Sequence, residues 1–232
     1  SAQQHRPLDD ARLSRNLDET IARRVAFLTG YQNAAYSKRY RALVDKVRAA
    51  ETAQVPGSTA LTEAVARYAF KLMAYKDEYE VARLYTSGDF KRRVAQQFEG
   101  DYKLKFHLAP PLFSKKDADG HLIKKEYGPW MLTAFSVLAK FRFLRGGMLD
   151  LFGRTEERRT ERKLIADYFA DIHTLLAGLS ADNVALAVEI ASMPERIRGY
   201  GHVKERHLNE AMPKRKSLMQ RWREPAEARK AA

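Results

Sequence analysis

The chain has 232 residues, of which 45% are hydrophobic, and this is enough apolar material to bury a core in one large domain or two small ones. Lys and Arg number 42 against 29 Asp and Glu, and the resulting net charge of +13 favours an anionic partner but equally fits a solvated basic surface. Cysteine is absent, which excludes disulfides, thiolate nucleophiles and cysteine-ligated zinc or iron–sulfur clusters within this chain.

The apolar pattern of the N-terminal part predicts a long antiparallel helical hairpin over about residues 17–86. Apolar residues recur every three or four positions from Leu17 to Val47, which predicts one long helix with Gly30 as its only candidate break. A turn at Pro56 follows, with Ser58 or Thr59 as the cap of a second long helix. No Gly or Pro interrupts that second helix before the sequence Ser-Gly-Asp at 87–89.

The middle of the chain changes from a helical to a strand-like pattern. Residues 102–108 alternate between polar and apolar, which predicts a strand, and Pro110 ends it. The turn sequence Asp-Ala-Asp-Gly at 117–120 precedes a partner strand that ends near Tyr127. We therefore predict a β-hairpin over about 102–127 that is inserted between helices and packs on them.

The C-terminal half predicts a helical bundle over about 130–212. The apolar stretch at 130–144 is interrupted by Lys140 and Arg142, so it is interpreted as a core helix rather than a membrane span. From about Pro213 the chain is charged, and we expect a flexible basic tail over 213–232. The predicted fold is a single, mainly α accessory domain over 1–212.

The densest basic and aromatic run lies near the C-terminus. The run contains two glycines, and a helix is expected from Val203. Backbone amides at the glycines and the positive N-terminus of that helix would favour binding of a phosphate or carboxylate. A solvated turn between two helices explains the same run. The candidate contacts with an anion or partner are Arg198, Tyr200, His202, Lys204 and Arg206.

Two further candidate groups lie around the predicted hairpin. Lys105 and His107 share one face of the first strand and are candidates to contact an anion or a partner. Edge-strand lysines also deter aggregation, and a structural hydrogen bond is the favoured alternative for His107. Glu126, Tyr127 and Trp130 flank a Gly-Pro turn. They are interpreted as loop anchors, with a pocket lining as the alternative.

The usual catalytic patterns are absent from the sequence. It contains no dinucleotide-binding GxGxxG turn, P-loop, HExxH or GxSxG motif, and no two of its six histidines have metal-ligand spacing. We therefore predict no catalytic residue and no metal site in this chain.

Five segments together resemble the C-terminal region of the fused indolepyruvate ferredoxin oxidoreductases. They are DETIARRVAFL at 18–28, AYKDEYEVARLY at 74–85, KFHLAPP at 105–111, EYGPW at 126–130 and RGYGHVK at 198–204. The resemblance spans nearly the whole chain except the residues after Pro213. It implies a parent enzyme that oxidatively decarboxylates an aryl 2-oxo acid and forms an acyl-coenzyme A, using thiamine diphosphate, magnesium, an iron–sulfur cluster and coenzyme A.

The chain lacks the motifs that carry the chemistry of that enzyme family. It has no GDG-type motif for thiamine diphosphate and magnesium, and no cysteine to hold a cluster. No catalytic residue is carried over, no cofactor is expected in this chain, and the fragment alone is predicted to be inactive. The start at Ser1 without Met suggests an excised piece of a longer chain, and the lack of a signal sequence suggests a cytoplasmic location.

Several roles are compatible with such an accessory domain. It is expected to support assembly with the catalytic domains of the same enzyme, in which case exposed apolar or aromatic patches should mark the docking surface. It is also a candidate to close the active site over coenzyme A, or to dock an acidic ferredoxin. A basic nucleic-acid-binding module is the alternative from another class, but no base-reading or stacking motif supports it. No membrane contact is expected.

Overall fold

The computed structural model describes residues 14–88, 90, 105–108, 125–147, 150, 152–199 and 201–224. Contacts within the chain form two compact units, where we had predicted one domain over 1–212. The first, which we call the terminal unit, comprises Ser1–Tyr75 with Thr160–Ala232, and the second, the central unit, comprises Lys76–Arg159.

The fold is mainly α, as predicted. In chain order the elements are α1 (Leu17–Tyr31), α2 (Ala34–Gln54), α3 (Ala60–Met73), α4 (Glu78–Thr86), β1 (Phe106–Leu108), β2 (Lys125–Tyr127), α5 (Met131–Lys140), α6 (Glu156–Ala177), α7 (Val184–Ala191) and α8 (Gly201–Arg223). Short 3₁₀ turns occur at Phe141–Leu144, Phe152–Arg154 and Met193–Arg196.

The first predicted long helix is wrong, because the structure divides it into α1 and α2. The break falls after Tyr31 rather than at Gly30. The side chain of Asn33 accepts a hydrogen bond from the backbone N–H of Tyr36 at 2.9 Å, and such a cap starts a new helix. Helix α2 then packs against both α1 and α3.

The second predicted long helix is also wrong, since α3 ends at Met73 and α4 begins at Glu78. Asp77 caps α4 by accepting a hydrogen bond from the N–H of Glu80 at 2.9 Å. The boundary between the two units falls in this break. The hairpin expected over 17–86 is therefore replaced by three helices of the terminal unit and a fourth helix that belongs to the central unit.

Tyrosines of α1 and α2 donate hydrogen bonds to α3 and to the residues just after it. The hydroxyls of Tyr31, Tyr36 and Tyr40 donate to the carbonyls of Tyr75, Met73 and Ala66 at 2.7, 3.0 and 2.9 Å. All three side chains are buried, so each contributes apolar area and still satisfies its polar end. The aromatic residues in the predicted stripe thus form part of the core of the terminal unit.

Ser58 and the carboxylate of Glu51 both cap the start of α3, and the Ser58 hydroxyl accepts a hydrogen bond from the N–H of Ala60 at 3.4 Å. The fully buried Glu51 side chain accepts hydrogen bonds from the N–H groups of Leu61 and Thr62 at 2.9 and 2.8 Å, and from the hydroxyls of Thr62 and Ser58 at 2.6 and 2.7 Å. Burial alone raises the pKa of Glu51. The hydrogen bonds outweigh burial and hold that pKa below its ordinary value.

The flexible tail predicted for 213–232 is wrong for residues 213–223. Helix α8 continues to Arg223 through Pro213, and Leu218, Met219 and Trp222 are buried in the core of the terminal unit. The ring of Trp222 lies 3.7 Å from the position that a Cβ on Gly178 would occupy. Residues 225–232 lie outside the described part of the chain.

The central unit has a small apolar core around α4 and α5. Its buried members are Ala82, Phe106, Met131, Phe135 and Ala139. Strands β1 and β2 pair antiparallel, with Phe106 opposite Tyr127 and His107 opposite Glu126. The predicted β-hairpin is therefore present as three-residue strands, and its connection at 109–124 lies outside the described residues.

Candidate functional site

The predicted anion site lies in the terminal unit, where cations surround Glu195. Arg198 Nη2 donates to Glu195 Oε1 at 2.6 Å, while Arg67 Nη2 and Lys71 Nζ lie 3.7 and 3.8 Å from Oε2. Lys71 also donates to the carbonyl of Pro194 at 2.8 Å. Three cations therefore share one carboxylate, which leaves this part of the surface positive.

Burial and the charges around Lys71 lower its pKa. Burial is the largest cause, the Glu195 carboxylate opposes this effect, and the charges of Arg198, Arg67 and Lys204 add to it, so that the pKa falls below its ordinary value. Lys204 Nζ itself donates to the buried Glu161 at 2.5 Å. Arg198 and Lys204 each already hold a carboxylate of this chain.

The backbone before α8 bends as the two glycines suggested. Gly199 and Gly201 have φ values of +84° and +53°, which non-glycine residues rarely adopt. A Cβ on Gly199 would also lie 2.7 Å from a methyl of Val203. His202 and Arg206 are exposed on α8, and Tyr200 lies outside the described residues.

Of the two candidates around β1 and β2, the structure describes the side chain of Lys105 but not that of His107. Lys105 Nζ lies 2.9 Å from Glu126 Oε1, and both side chains are about half exposed or more. His107 is placed opposite Glu126 by the strand register, but its side chain lies outside the described part. Lys105 therefore serves the hairpin itself by pairing across the two strands.

The loop-anchor interpretation is wrong for Trp130, because 60% of this residue is exposed. Its ring meets the half-buried Tyr127 edge-on, with centroids 6.0 Å apart. Trp130 leads into α5, whose opposite face is buried through Met131, Phe135 and Ala139. The indole therefore does not fix the loop by insertion into the core.

The sequence interpretation missed an exposed apolar surface that begins at Trp130. Val137, Phe141 and Phe143 are 52%, 44% and 58% exposed, and together with Trp130 they form what we call the aromatic face. The sequence interpretation places the apolar residues of 130–144 in the core, whereas the structure exposes these four.

A buried polar network in the central unit was also missed. Arg145 Nη2 donates to Asp77 Oδ1 at 2.7 Å and Nε donates to Oδ2, while the guanidinium lies 5.6 Å from the ring centroid of Tyr79. The Tyr79 hydroxyl donates to Asp150 at 3.1 Å. Burial, then the charge and hydrogen bond of Asp150, raise the pKa of Tyr79 above its ordinary value.

The hydrogen bonds of this network hold the loop after α5 in place and do not indicate a catalytic role. Asp150 also accepts from the N–H groups of Gly146 and Gly153 at 2.7 and 2.9 Å. These bonds therefore hold Arg145, Gly146, Asp150 and Gly153 together and join them to α4. The Asp77–Arg145 pair could not be predicted from the sequence, because its members are 68 positions apart.

Neither a metal site nor a metabolite pocket is evident among the described residues. No three His, Asp or Glu side chains in these ranges lie together as metal ligands, and no described helix has the length and apolar character to cross a bilayer. A cavity beside Tyr168 has a volume of about 30 Å³, whereas small-molecule sites typically measure roughly 300–1,000 Å³. The main unassigned features are therefore surfaces.

Comparison with known proteins gives one family. A family of unknown function (DUF6537) matches residues 17–217. No curated protein and no solved structure matches the chain.

Proposed function

The chain belongs to that family of unknown function, and we propose that it is an accessory helical domain of an indolepyruvate ferredoxin oxidoreductase. In this role it supports assembly of the enzyme and carries no catalytic residue of its own. The parent enzyme would bind thiamine diphosphate, magnesium, an iron–sulfur cluster and coenzyme A in its other domains. The support is the set of five sequence segments, which extends from residue 18 to residue 204.

One structural observation favours docking onto another domain. Trp130, the last residue of the segment at 126–130, is 60% exposed and is the first residue of the aromatic face. Apolar patches of a few hundred Å² on soluble proteins commonly mark interaction sites. An accessory domain needs such a surface in order to contribute to assembly.

Turnover of the intact parent enzyme with and without residues 1–232 tests the proposal. An aryl 2-oxo acid and coenzyme A serve as substrates, and reduction of an artificial acceptor and of ferredoxin is followed in parallel. Loss of both reactions, together with altered sedimentation of the remaining protein, is expected for an assembly role. Normal assembly and turnover of the truncated enzyme would contradict it.

A narrower proposal is that the basic surface docks an acidic ferredoxin, and the structure refines its test. Arg215 binds the largely buried Asp171 through two hydrogen bonds of 2.5 and 2.7 Å, so replacing Arg215 would disturb the fold, and Lys214 is already paired with Glu189 at 3.0 Å. Exposed Lys216, Arg221 and Arg223 are better positions for charge reversal.

Charge reversal at those three positions should slow ferredoxin reduction selectively. Electrostatic steering changes association rates by roughly 10–1,000-fold and weakens with salt. The ferredoxin reaction should therefore lose both rate and salt dependence, while the artificial acceptor is reduced as before. An unchanged ferredoxin reaction at low ionic strength would reject this docking role.

A further inference from the structure

Three residues of the aromatic face lie along one side of α5 and the 3₁₀ turn after it. Val137 and Phe141 are four positions apart, and Trp130 precedes Val137 by two helical turns, so all three share one side. From Trp130 to Phe141 this side extends roughly 16 Å along the helix axis at 1.5 Å per residue. Phe143 joins the face beside Phe141, since the centroids of their rings are 6.2 Å apart.

Internal packing does not account for this face. The opposite side of α5 supplies Met131, Phe135 and Ala139 to the small core of the central unit. The exposed parts of the four side chains amount to roughly 400 Å² of apolar surface, taking about 150–250 Å² for each aromatic residue. That area matches the larger patches found on monomeric proteins, which are often functional.

The charged residues carried by α5 and the 3₁₀ turn after it are basic. Lys140 is exposed and Arg142 is partly exposed, each next to a phenylalanine of the face in sequence, and we call these two cations its rim. Within the part of the chain that the structure describes, neither cation forms an ion pair. Both charges are thus available to carboxylates of a partner.

We propose that the aromatic face docks on a protein surface whose apolar centre is bordered by carboxylates, carried by a catalytic domain of the same enzyme. The identity of that domain rests on the proposed function, whereas the chemistry of the surface does not. Trp and Phe fill the centre of the contact, and Lys140 and Arg142 pair with the acidic border. Aromatic anchors surrounded by complementary charge are typical of protein interfaces.

Charge disfavours the two other occupants. Two copies of this face would bring their positive rims together in a symmetric contact, and like charges repel there. Anionic membranes are generally bound by clusters of four to eight Lys or Arg, and this face has two. A carboxylate-bordered protein surface satisfies both the apolar centre and the rim.

Photo-crosslinking in the intact parent enzyme tests the inference. Benzoylphenylalanine replaces Phe143, and cross-linked peptides are mapped by mass spectrometry. We expect cross-links to a segment outside residues 1–232 that contains apolar residues flanked by Asp or Glu. The same amino acid at exposed Thr174 of the terminal unit is the matched control and should give a different cross-link or none.

Charge reversal supplies the second measurement. The pair Lys140→Glu and Arg142→Glu should lower the yield of the cross-link from position 143 about tenfold, which corresponds to about 1.4 kcal/mol. Arg221→Glu with Arg223→Glu, at exposed positions of the terminal unit, should leave the yield unchanged. Circular dichroism of each variant ensures that only folded proteins are compared.

Several outcomes would overturn the inference. They are a cross-link between isotopically labelled and unlabelled copies of this face, binding to phosphatidylcholine–phosphatidylserine vesicles that Trp130→Ser abolishes, or no cross-link from position 143. The proposed function fails separately. Cross-links to an acid-bordered domain in a protein that oxidises no aryl 2-oxo acid would support the docking surface and reject the enzyme assignment.

Discussion

The terminal and central units differ in what holds each of them together. The terminal unit has a continuous apolar core to which α1, α2, α3, α6, α7 and α8 all contribute, with tyrosine hydroxyls bound to backbone carbonyls inside it. Among its described residues, the central unit has a core cluster of five buried apolar residues, and the Asp77–Arg145 pair and the bonds of Asp150 hold the loop beside it. Its aromatic face is exposed.

This difference has a physical consequence for stability. Apolar burial depends little on salt or pH, whereas a buried ion pair stabilises a fold only while both partners are present and charged. The central unit should therefore be the more sensitive of the two to loss of a single charge. Amide hydrogen exchange resolves the two units within one chain and can test each of the following expectations.

The largest effect is expected when Arg145 is removed. Arg145→Ala leaves Asp77 buried without its cation, which typically costs about 3–5 kcal/mol. Amides of α4 and α5 should lose protection, while those of α2 and α3 keep it. The double variant Arg145→Met with Asp77→Asn removes both charges and should regain most of the lost protection. Equal protection in the unchanged protein, Arg145→Ala and the double variant would show that the pair does not hold the central unit.

Truncating a core side chain of the terminal unit should lower the free energy of unfolding slightly less, and this loss should not depend on salt. Leu28 is fully buried, and Leu→Ala changes in cores cost about 2–5 kcal/mol. Leu28→Ala should lower the free energy of unfolding of the terminal unit equally at low and high salt. A strongly salt-dependent loss, measured by urea unfolding of this variant, would contradict the contrast between the units.

Glu51 should give the terminal unit a defined pH dependence. Its folded pKa lies below the unfolded value of about 4.3, so the stabilisation is fully present above that pH and is lost as the pH falls through the folded pKa. Glu51→Gln should cost about 1–3 kcal/mol at neutral pH. This variant should also show a flatter fall in stability below pH 4.3, and an unchanged acid profile would argue against the cap.

The smallest effect is expected for an exposed ion pair. Arg41 Nε lies 2.7 Å from Asp45 Oδ2 on α2, and both side chains are about half exposed. Pairs of this kind contribute about 0.2–0.5 kcal/mol. Asp45→Asn should therefore leave the urea midpoint almost unchanged. If this variant lost as much stability as Arg145→Ala, the burial of an ion pair would not be what makes the central unit sensitive to the loss of a charge.

Helix content was predictable from the sequence, whereas the lengths of the helices were not. The three-or-four spacing of apolar residues continues through the breaks at Gln32 and at 74–77, so periodicity alone favoured two long helices. Asn33 and Asp77 are good capping residues, but each is also tolerated inside a helix. Their capping bonds became decisive only when the following helices packed elsewhere.

The partners of the candidate site residues were only partly predictable. Arg198 is paired with Glu195, three positions earlier, which spacing along the chain suggests, whereas Lys204 is paired with Glu161, 43 positions away. Trp130 was placed inside because indoles usually are buried. The local sequence contains no signal for which side of α5 is exposed.

The mainly helical fold, the basic charge and the turn before α8 follow from the sequence, because they depend on local periodicity, composition and glycine. The extension of α8 to Arg223 depends on tertiary contacts, since Leu218 and Trp222 are stabilised by burial against distant helices. The pairing of Arg145 with Asp77 and the exposure of the aromatic face depend on them too. Pairing and exposure depend on which residues far apart in the chain meet, and no local pattern specifies that.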